Sequence, residues 1–292
     1  MNFYKIIEEI EKIDPEFQDR INPRRAAIKN ITSFGSKVAV AAMPFALGTL
    51  FKKAYGATTS AGVIAVLNFA LTLEYLESSF YDAGVGTSGL VPAGDATYIG
   101  AIKTDEDNHV TFLQGAITAS GGTPVAKSSL TFDFTGGNGK GNGPFADVFS
   151  NYQTFLAVAE TFEDTGVRAY KGQAANLAGN AVLTYALDIH AVEARHAAAI
   201  RYLRANTYHV VINPWITSTV ANSNDTGISL VDANYAGATP ENNTTVGGIN
   251  LLTLPSIESS SSTSVSVATA AFDEPLTQAE VLALLEGSFI VN

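Results

Sequence analysis

The chain has 292 residues, of which 46% are hydrophobic, and its formal net charge is −11 with an isoelectric point near 4.8. That charge argues against nucleic acid or an anionic membrane surface as a partner, because both repel an acidic protein. Cysteine is absent, which excludes disulfides, thiolate metal sites and cysteine nucleophiles. Any bound metal must therefore be held by oxygen and imidazole ligands, a set that favours iron, manganese or zinc.

The first segment, residues 1–57, is predicted to hold a short helix followed by an export leader. Apolar side chains recur at helical spacing over residues 1–20, with acidic residues between them. Arg24 and Arg25 then precede a mostly apolar run at residues 31–51 and a stretch of small residues. This order resembles a bacterial twin-arginine leader, which predicts export to the periplasm.

The apolar run within this segment is a poor candidate for a membrane span. Lys37 and Pro44 interrupt it, and a charge or a helix-breaking proline is unfavourable there. We therefore expect no stable transmembrane span. The alternative is a cytoplasmic protein in which residues 24–57 form an ordinary helix docked on the body of the protein.

Residues 58–206 are predicted to form an all-α four-helix bundle. The first helix, at residues 62–83, is apolar around most of its circumference, as expected of a helix buried among others. Asp95 is a suitable N-cap for the second helix. The remaining three helices are predicted at residues 95–120, 146–171 and 180–206.

The connection at residues 121–146 is rich in glycine and turn residues. Its length predicts a crossover that places the second and third helices on the same side of the bundle. Residues 207–292 are predicted to be an irregular C-terminal extension, with loops and extended chain up to residue 270. Thr277 and Glu280 have the spacing of a capping box, which predicts one last short helix.

Two Glu-x-x-His pairs are the most informative pattern in the chain. They are Glu106 with His109, and Glu193 with His196. Residues three apart lie on one face of a helix, so each pair can direct a carboxylate and an imidazole at one point. Apolar residues at helical spacing place both pairs on core-facing stripes, where charge is costly unless it is paired or binds a metal.

One glutamate on each of the other two helices completes an internal repeat. Glu74 is followed by Tyr81 seven residues later, and Glu163 by Tyr170 at the same spacing. Two glutamate helices alternating with two Glu-x-x-His helices form the ligand set of di-iron carboxylate bundles. The alternatives are surface glutamates with core histidines, or the same fold with a degenerate or empty metal site.

Five stretches of the chain resemble the ferritin-like family that includes desiccation-related proteins, and more distantly rubrerythrin and bacterioferritin. They lie at residues 68–77, 105–109, 163–170, 192–196 and 271–277. The resemblance implies a centre of two iron ions, or manganese, with Glu106 and Glu193 as bridging carboxylates. The implied metal ligands are Glu74, Glu106, His109, Glu163, Glu193 and His196.

Four further residues are candidates around these ligands. Glu160 lies one turn before Glu163 and can replace or join it. Glu77 is a candidate neighbour of the ligands, and Tyr81 and Tyr170 are candidates to hydrogen-bond ligand carboxylates, although tyrosines in bundles often simply pack. We expect His190 to be structural and Trp215 to pack.

The resemblance implies a protein that oxidises Fe(II) with dioxygen or peroxide in stress protection. It implies no catalytic residue beyond the metal ligands and no organic cofactor. The partners would be metal ions and dioxygen or peroxide, with a homo-oligomer left open. The alternative is a metal-free or structurally metallated protein with a binding or structural role in stress or desiccation and without catalysis.

Overall fold

The computed structural model describes residues 61–216, 229–235, 240–254 and 263–291. The helix and leader predicted at residues 1–57 lie outside them. Within residues 61–216 the chain forms four long helices, which confirms the predicted all-α bundle. These helices are α1 Ala61–Gly86, α2 Ala96–Ala119, α3 Tyr152–Gln173 and α4 Val182–Tyr208.

The start of α3 differs from the prediction by six residues. Residues 146–150 form turns, and the helix begins only after Asn151. The Asn151 side chain accepts hydrogen bonds from the backbone N–H groups of Gln153 and Thr154. It thereby satisfies two of the N–H groups that have no partner inside the helix, and this cap sets the boundary.

The bundle consists of two helix pairs, α1 with α2 and α3 with α4, which are joined chiefly through α1 and α3. Phe80 of α1 is fully buried at this junction. Its ring stacks on Phe155 of α3 with 4.7 Å between the ring centroids, and meets the Phe162 ring edge-on at 5.1 Å. Large aromatic rings contribute much of the buried apolar area in such a core.

Helix α1 is long and apolar enough to cross a membrane by length and composition, and no other helix among the described residues is. Most of its side chains are buried inside the bundle. Glu74 and Glu77 are among these buried residues.

The C-terminal extension has more regular structure than the sequence predicts. A helix at Thr263–Ala270 occupies eight residues in a region predicted to be loops, and two short strands pair antiparallel with Thr245 opposite Asn250. The capping box of the last helix is confirmed, with Thr277 and Glu280 bonding to each other's backbone N–H groups. The described elements of the extension are α5 Ser229–Asp232, β1 Thr245–Val246, β2 Ile249–Asn250, α6 Thr263–Ala270 and α7 Gln278–Leu285.

The segment before α7 lies directly against the backbone of α3. The Leu276 N–H donates to the Arg168 carbonyl at 3.1 Å, and the Arg168 Nε donates to the Glu274 carbonyl at 2.8 Å. Gly172 makes this approach possible, because a β carbon there would lie 1.8 Å from the Leu276 carbonyl oxygen. The extension is thus fixed to the helix that carries Glu163.

We predict that Gly172→Ala destabilises the protein, whereas Gly115→Ala does not. A methyl group at residue 172 must displace the segment at Leu276, and overpacking of this kind costs roughly 1–3 kcal/mol. Gly115 lies in α2, and a β carbon there would meet nothing within 4 Å, so alanine should stabilise by about 0.5–1 kcal/mol through helix propensity. Urea unfolding of both variants measures the difference. Equal effects would contradict the close packing of the extension on α3.

Candidate metal centre

Six of the residues singled out in the sequence meet in the interior of the bundle, with at least one from each long helix. The four glutamates are completely buried, and the two histidines are 8% and 5% exposed. Apolar neighbours on each helix turn these side chains inward. The six residues are Glu74 of α1, Glu106 and His109 of α2, Glu163 of α3, and Glu193 and His196 of α4.

The six side chains form two groups that share the carboxylates of Glu106 and Glu193. Glu74 and His109 complete the first group, and Glu163 and His196 complete the second. In each group, one ligand atom from every residue lies within 4.8 Å of the others. Each of the two four-residue groups could hold a metal ion, and they have two residues in common.

The His109 imidazole faces three carboxylates at once. Its Nδ1 atom lies 3.1 Å from Glu106 Oε2, 3.1 Å from Glu193 Oε1 and 3.2 Å from Glu74 Oε2. One ring nitrogen carries at most one proton, so it cannot give all three oxygens a well-aligned hydrogen bond. The arrangement instead suits four donor atoms that converge on one cation.

The His196 imidazole has a similar position in the second group. Its Nδ1 atom lies 2.8 Å from Glu106 Oε1 and 3.3 Å from Glu163 Oε2, yet neither contact has hydrogen-bond geometry. On the other side of the ring, Nε2 lies 3.3 Å from Asp105 Oδ2. A carboxylate in that place fixes the ring orientation and makes the inward nitrogen a better ligand.

Two tyrosines hold the terminal glutamates in a reciprocal arrangement. Tyr81 of α1 donates its hydroxyl hydrogen to Glu163 Oε1 on α3, and Tyr170 of α3 donates to Glu74 Oε1 on α1. Each tyrosine thus bonds the glutamate of the other helix. The second oxygen of each glutamate then faces an imidazole.

Glu160 and Glu77 lie outside both groups. Glu160 accepts a hydrogen bond from Arg204 Nη1 at 2.8 Å, which leaves Glu163 as the α3 carboxylate at the centre. Glu77 is buried beside the first group, across Gly166 from Glu193. A β carbon on Gly166 would lie 3.2 Å from Glu77 Oε1 and 3.2 Å from Glu193 Oε2.

A family model for a ferritin-like domain matches residues 62–206, the stretch that forms the bundle and contains all six side chains. The chain belongs to the ferritin-like family. No curated protein and no solved structure matches it. The predicted family is therefore confirmed, while the likeness to desiccation-related proteins stays a prediction.

The electrostatics of this ferritin-like centre are dominated by carboxylates that repel one another. Burial raises the pKa values of Glu77 and Glu193 well above the ordinary range, and neighbouring carboxylates raise them further. Burial and the Glu163 charge raise the pKa of Glu106 to about 7. For Glu74, burial acts in the same direction, but the His109 charge and several hydrogen bonds outweigh it and lower the pKa.

The donor set of the ferritin-like chain fits divalent cations. Several buried atoms of the centre have no hydrogen-bond partner among the described residues, and such atoms are costly to leave unpaired. Divalent cations would pair with them and would also offset the charge of four carboxylates. Carboxylate and imidazole donors suit iron, manganese or zinc. The unpaired atoms are Glu77 Oε2, Glu106 Oε1, Glu163 Oε2, both Glu193 carboxylate oxygens and His196 Nδ1.

A second buried network lies beside the centre, and the sequence reasoning missed it. Arg201 of α4 forms a bidentate ion pair with Asp164 of α3, and both side chains are 1% exposed. The Tyr235 hydroxyl donates to Asp164 at 2.6 Å. Arg168 is also fully buried, with Nε 2.8 Å from Glu241 Oε1.

The signal for this network was present in the helical spacing. Asp164 lies four residues after Glu160, and Arg204 lies three after Arg201, so each pair shares a helix face. Opposite charges on facing helices indicate pairing, but a search directed at histidine ligands passes over them. Glu160 belongs to this network through the hydrogen bond that it accepts from Arg204, and it is therefore not a metal-ligand candidate.

We predict that the metal-free protein loses stability as the pH rises from about 4.5 to 7. A carboxyl with a raised pKa keeps its proton in the folded state at a pH where the unfolded chain has lost it, so rising pH favours unfolding. Glu106, with an ordinary value of 4.5 and a folded value of about 7, spans this window. The raised pKa values of Glu160 and Glu241 act in the same direction.

The variant Glu106→Gln isolates the contribution of the centre. Glutamine keeps the volume and removes the titrating group, so the free energy of unfolding should fall less steeply with pH than in the unmutated protein. Urea unfolding of both metal-free proteins at several pH values measures the two slopes. Identical slopes would show that Glu106 does not hold an extra proton in the folded state.

Proposed function

We propose that the six residues bind two divalent metal ions, iron or alternatively manganese, and that the protein oxidises Fe(II) with dioxygen or peroxide. The observation that carries this proposal is the sharing of Glu106 and Glu193 between two buried four-residue groups. A shared carboxylate can bridge two cations and reduce the repulsion between them. If these glutamates served only to pair with arginine or lysine side chains, the two groups would not need to share Glu106 and Glu193.

The residues around the centre support this role by fixing the ligands in advance. The hydroxyls of Tyr81 and Tyr170 each occupy one oxygen of a terminal glutamate, which leaves the other oxygen directed at an imidazole. Asp105 orients the His196 ring from outside. Ligands held in this way lose little freedom when a metal binds, which favours affinity.

Burial determines the environment of the reaction. The four glutamates are fully buried, and in a site from which water is excluded charge interactions are stronger than in solution. Iron bound there would supply the change between Fe(II) and Fe(III), and carboxylate ligands accommodate both states. The chain's own contribution is to hold the ligands, to exclude water and to neutralise charge.

A second candidate function is a structural or binding role without catalysis. The observation that favours it is the contact of each imidazole with several glutamates. Burial acts to lower the pKa of His109, but Glu74 and its neighbours outweigh burial and raise it. Protonated imidazoles together with protonated glutamates can offset much of the charge in the absence of a metal.

We predict that divalent metal raises the melting temperature of the protein through the six ligands. Binding to the folded state alone stabilises by about 2.7 kcal/mol at a free metal concentration one hundred times Kd. Glu193→Gln removes a carboxylate shared by both groups and should abolish most of this increase. Differential scanning calorimetry with and without Mn(II), and with Fe(II) under anaerobic conditions, measures it.

Glu160→Gln is the matched control for this experiment. It removes the charge of another fully buried glutamate that lies outside both groups and pairs with Arg204. The variant should be less stable, yet it should keep the metal-dependent increase. Metal analysis of protein purified without added metal, followed by Fe(II) oxidation with dioxygen and with peroxide, separates the two functions. Metal binding without oxidation supports a structural metal site, the metallated form of the second candidate. No binding of iron, manganese or zinc overturns the di-metal proposal and leaves the metal-free form of the second candidate.

Export and a role in stress protection are further parts of the proposal. Export rests on the order of residues in the segment 24–57, and stress protection on the resemblance to desiccation-related proteins. We predict that replacing both Arg24 and Arg25 with lysine retains the protein in the cytoplasm, because a twin-arginine leader requires the arginine pair. Cell fractionation measures the distribution. An unchanged distribution would leave this segment as a helix of the mature protein.

A further inference from the structure

A cavity of about 230 Å³ lies between α3, α4 and two parts of the C-terminal extension. Asp164 and Val167 line it from α3, and Pro214 to Ile216 and Ala270 to Asp273 line it from the extension. None of the six candidate ligands contributes to its walls. The cavity is smaller than the roughly 300–1,000 Å³ typical of sites for drug-sized ligands, so it suits a small molecule.

Two aromatic rings in this cavity remain open to solvent. Trp215 is 53% exposed and Phe272 is 42% exposed. The sequence predicted that Trp215 would pack, and this prediction is wrong, because the chain around it borders the cavity. Exposed aromatic side chains that line a cavity are typical of ligand sites. Four small side chains also line the cavity, namely Ala194, Ala197, Ala270 and Ala271.

Two charged side chains that line the cavity already have partners. Asp164 and Arg201 form the buried ion pair described above, and Tyr235 donates a further hydrogen bond to Asp164. These groups have little capacity left for a ligand. A neutral sugar, which needs several free donors and acceptors, would therefore find few of them here.

Asp273 differs from Asp164 and Arg201 because one of its carboxylate oxygens lacks a partner in the part of the chain that the structure describes. Its Oδ1 atom is buried and has no hydrogen-bond partner among the described residues. The nearby Lys171 ammonium group donates instead to the Asp273 backbone carbonyl. Burial raises the pKa of the Asp273 carboxyl, and the Asp164 charge acts in the same direction, although Lys171 and Arg168 oppose the shift.

We propose that this cavity binds a small organic cation of the alkylammonium class. Aromatic faces attract such cations through the ring quadrupole, and quaternary ammonium groups are recognised in this way. Asp273 lines the same cavity as Trp215 and Phe272 and supplies the opposite charge. The net charge of −11 also raises the local concentration of cations around the protein. This site is independent of the proposed metal centre.

The chain offers a direct readout for this proposal. Trp215 is its only tryptophan, so tryptophan fluorescence reports on the cavity alone. Titration of the full chain with choline should give a saturable change in emission. The neutral carbon isostere of choline, in which a tert-butyl group replaces the trimethylammonium group, should give none. A saturable response to the isostere, or none to choline, would overturn the proposal.

Two aspartate variants complete the test. Asp273→Asn should raise the choline Kd by about tenfold or more, the scale expected when a charged contact is lost. Asp188→Asn makes the same change of charge at an exposed position of α4 and should leave the Kd unchanged. Isothermal titration calorimetry gives both values without relying on Trp215. Equal choline affinities of the two variants, or saturable binding of glucose in place of choline, would refute a cation site.

Discussion

Mutual repulsion between buried carboxylates is the constraint on which the bundle depends. Five glutamates, Glu74, Glu77, Glu106, Glu163 and Glu193, lie in one interior with at most 2% of their surface exposed. Each ionised carboxylate costs several kcal/mol to bury without a partner. The surrounding structure reduces this cost through two imidazoles, two tyrosine hydroxyls and raised pKa values. Bound cations would further reduce the cost of burying these carboxylates, which links the fold to the proposed metal chemistry.

The two halves of the internal repeat, α1–α2 and α3–α4, satisfy their buried polar side chains in different ways. In the α3–α4 pair, Asp164 follows Glu163 directly and pairs with Arg201. At the corresponding places in the α1–α2 pair, Tyr75 follows Glu74 directly and accepts a hydrogen bond from Gln114 at 2.7 Å. A buried ion pair in one half thus corresponds to a neutral hydrogen bond in the other. The ligand positions repeat, while the supporting contacts around them have diverged.

The sequence predicted what depends on local periodicity. The bundle, the convergence of the two Glu-x-x-His pairs with Glu74 and Glu163, and the capping box at Thr277 all follow from spacing along single helices. It did not predict contacts that depend on how separate segments meet. The sequence predicted that Tyr81 and Tyr170 could bond ligand carboxylates, but not which glutamate each would bond. That crossed pairing, the Asp164–Arg201 ion pair and the exposure of Trp215 depend on the relative placement of the helices and the extension. The start of α3 depends on which residue acts as the N-cap, and Asn151 was not identified as that residue from the sequence.

Gly166 shows how far the centre departs from two-fold symmetry. It lies three residues after Glu163, just as Glu77 lies three after Glu74, so a symmetric centre would carry a sixth glutamate there. A β carbon at residue 166 would already lie 3.2 Å from oxygens of both Glu77 and Glu193, so a longer side chain would have to displace these carboxylates. A sixth carboxylate would also add a charge where the pKa values of these two residues are already raised. Space and charge together therefore favour glycine on one side, which makes the repeat asymmetric at this point.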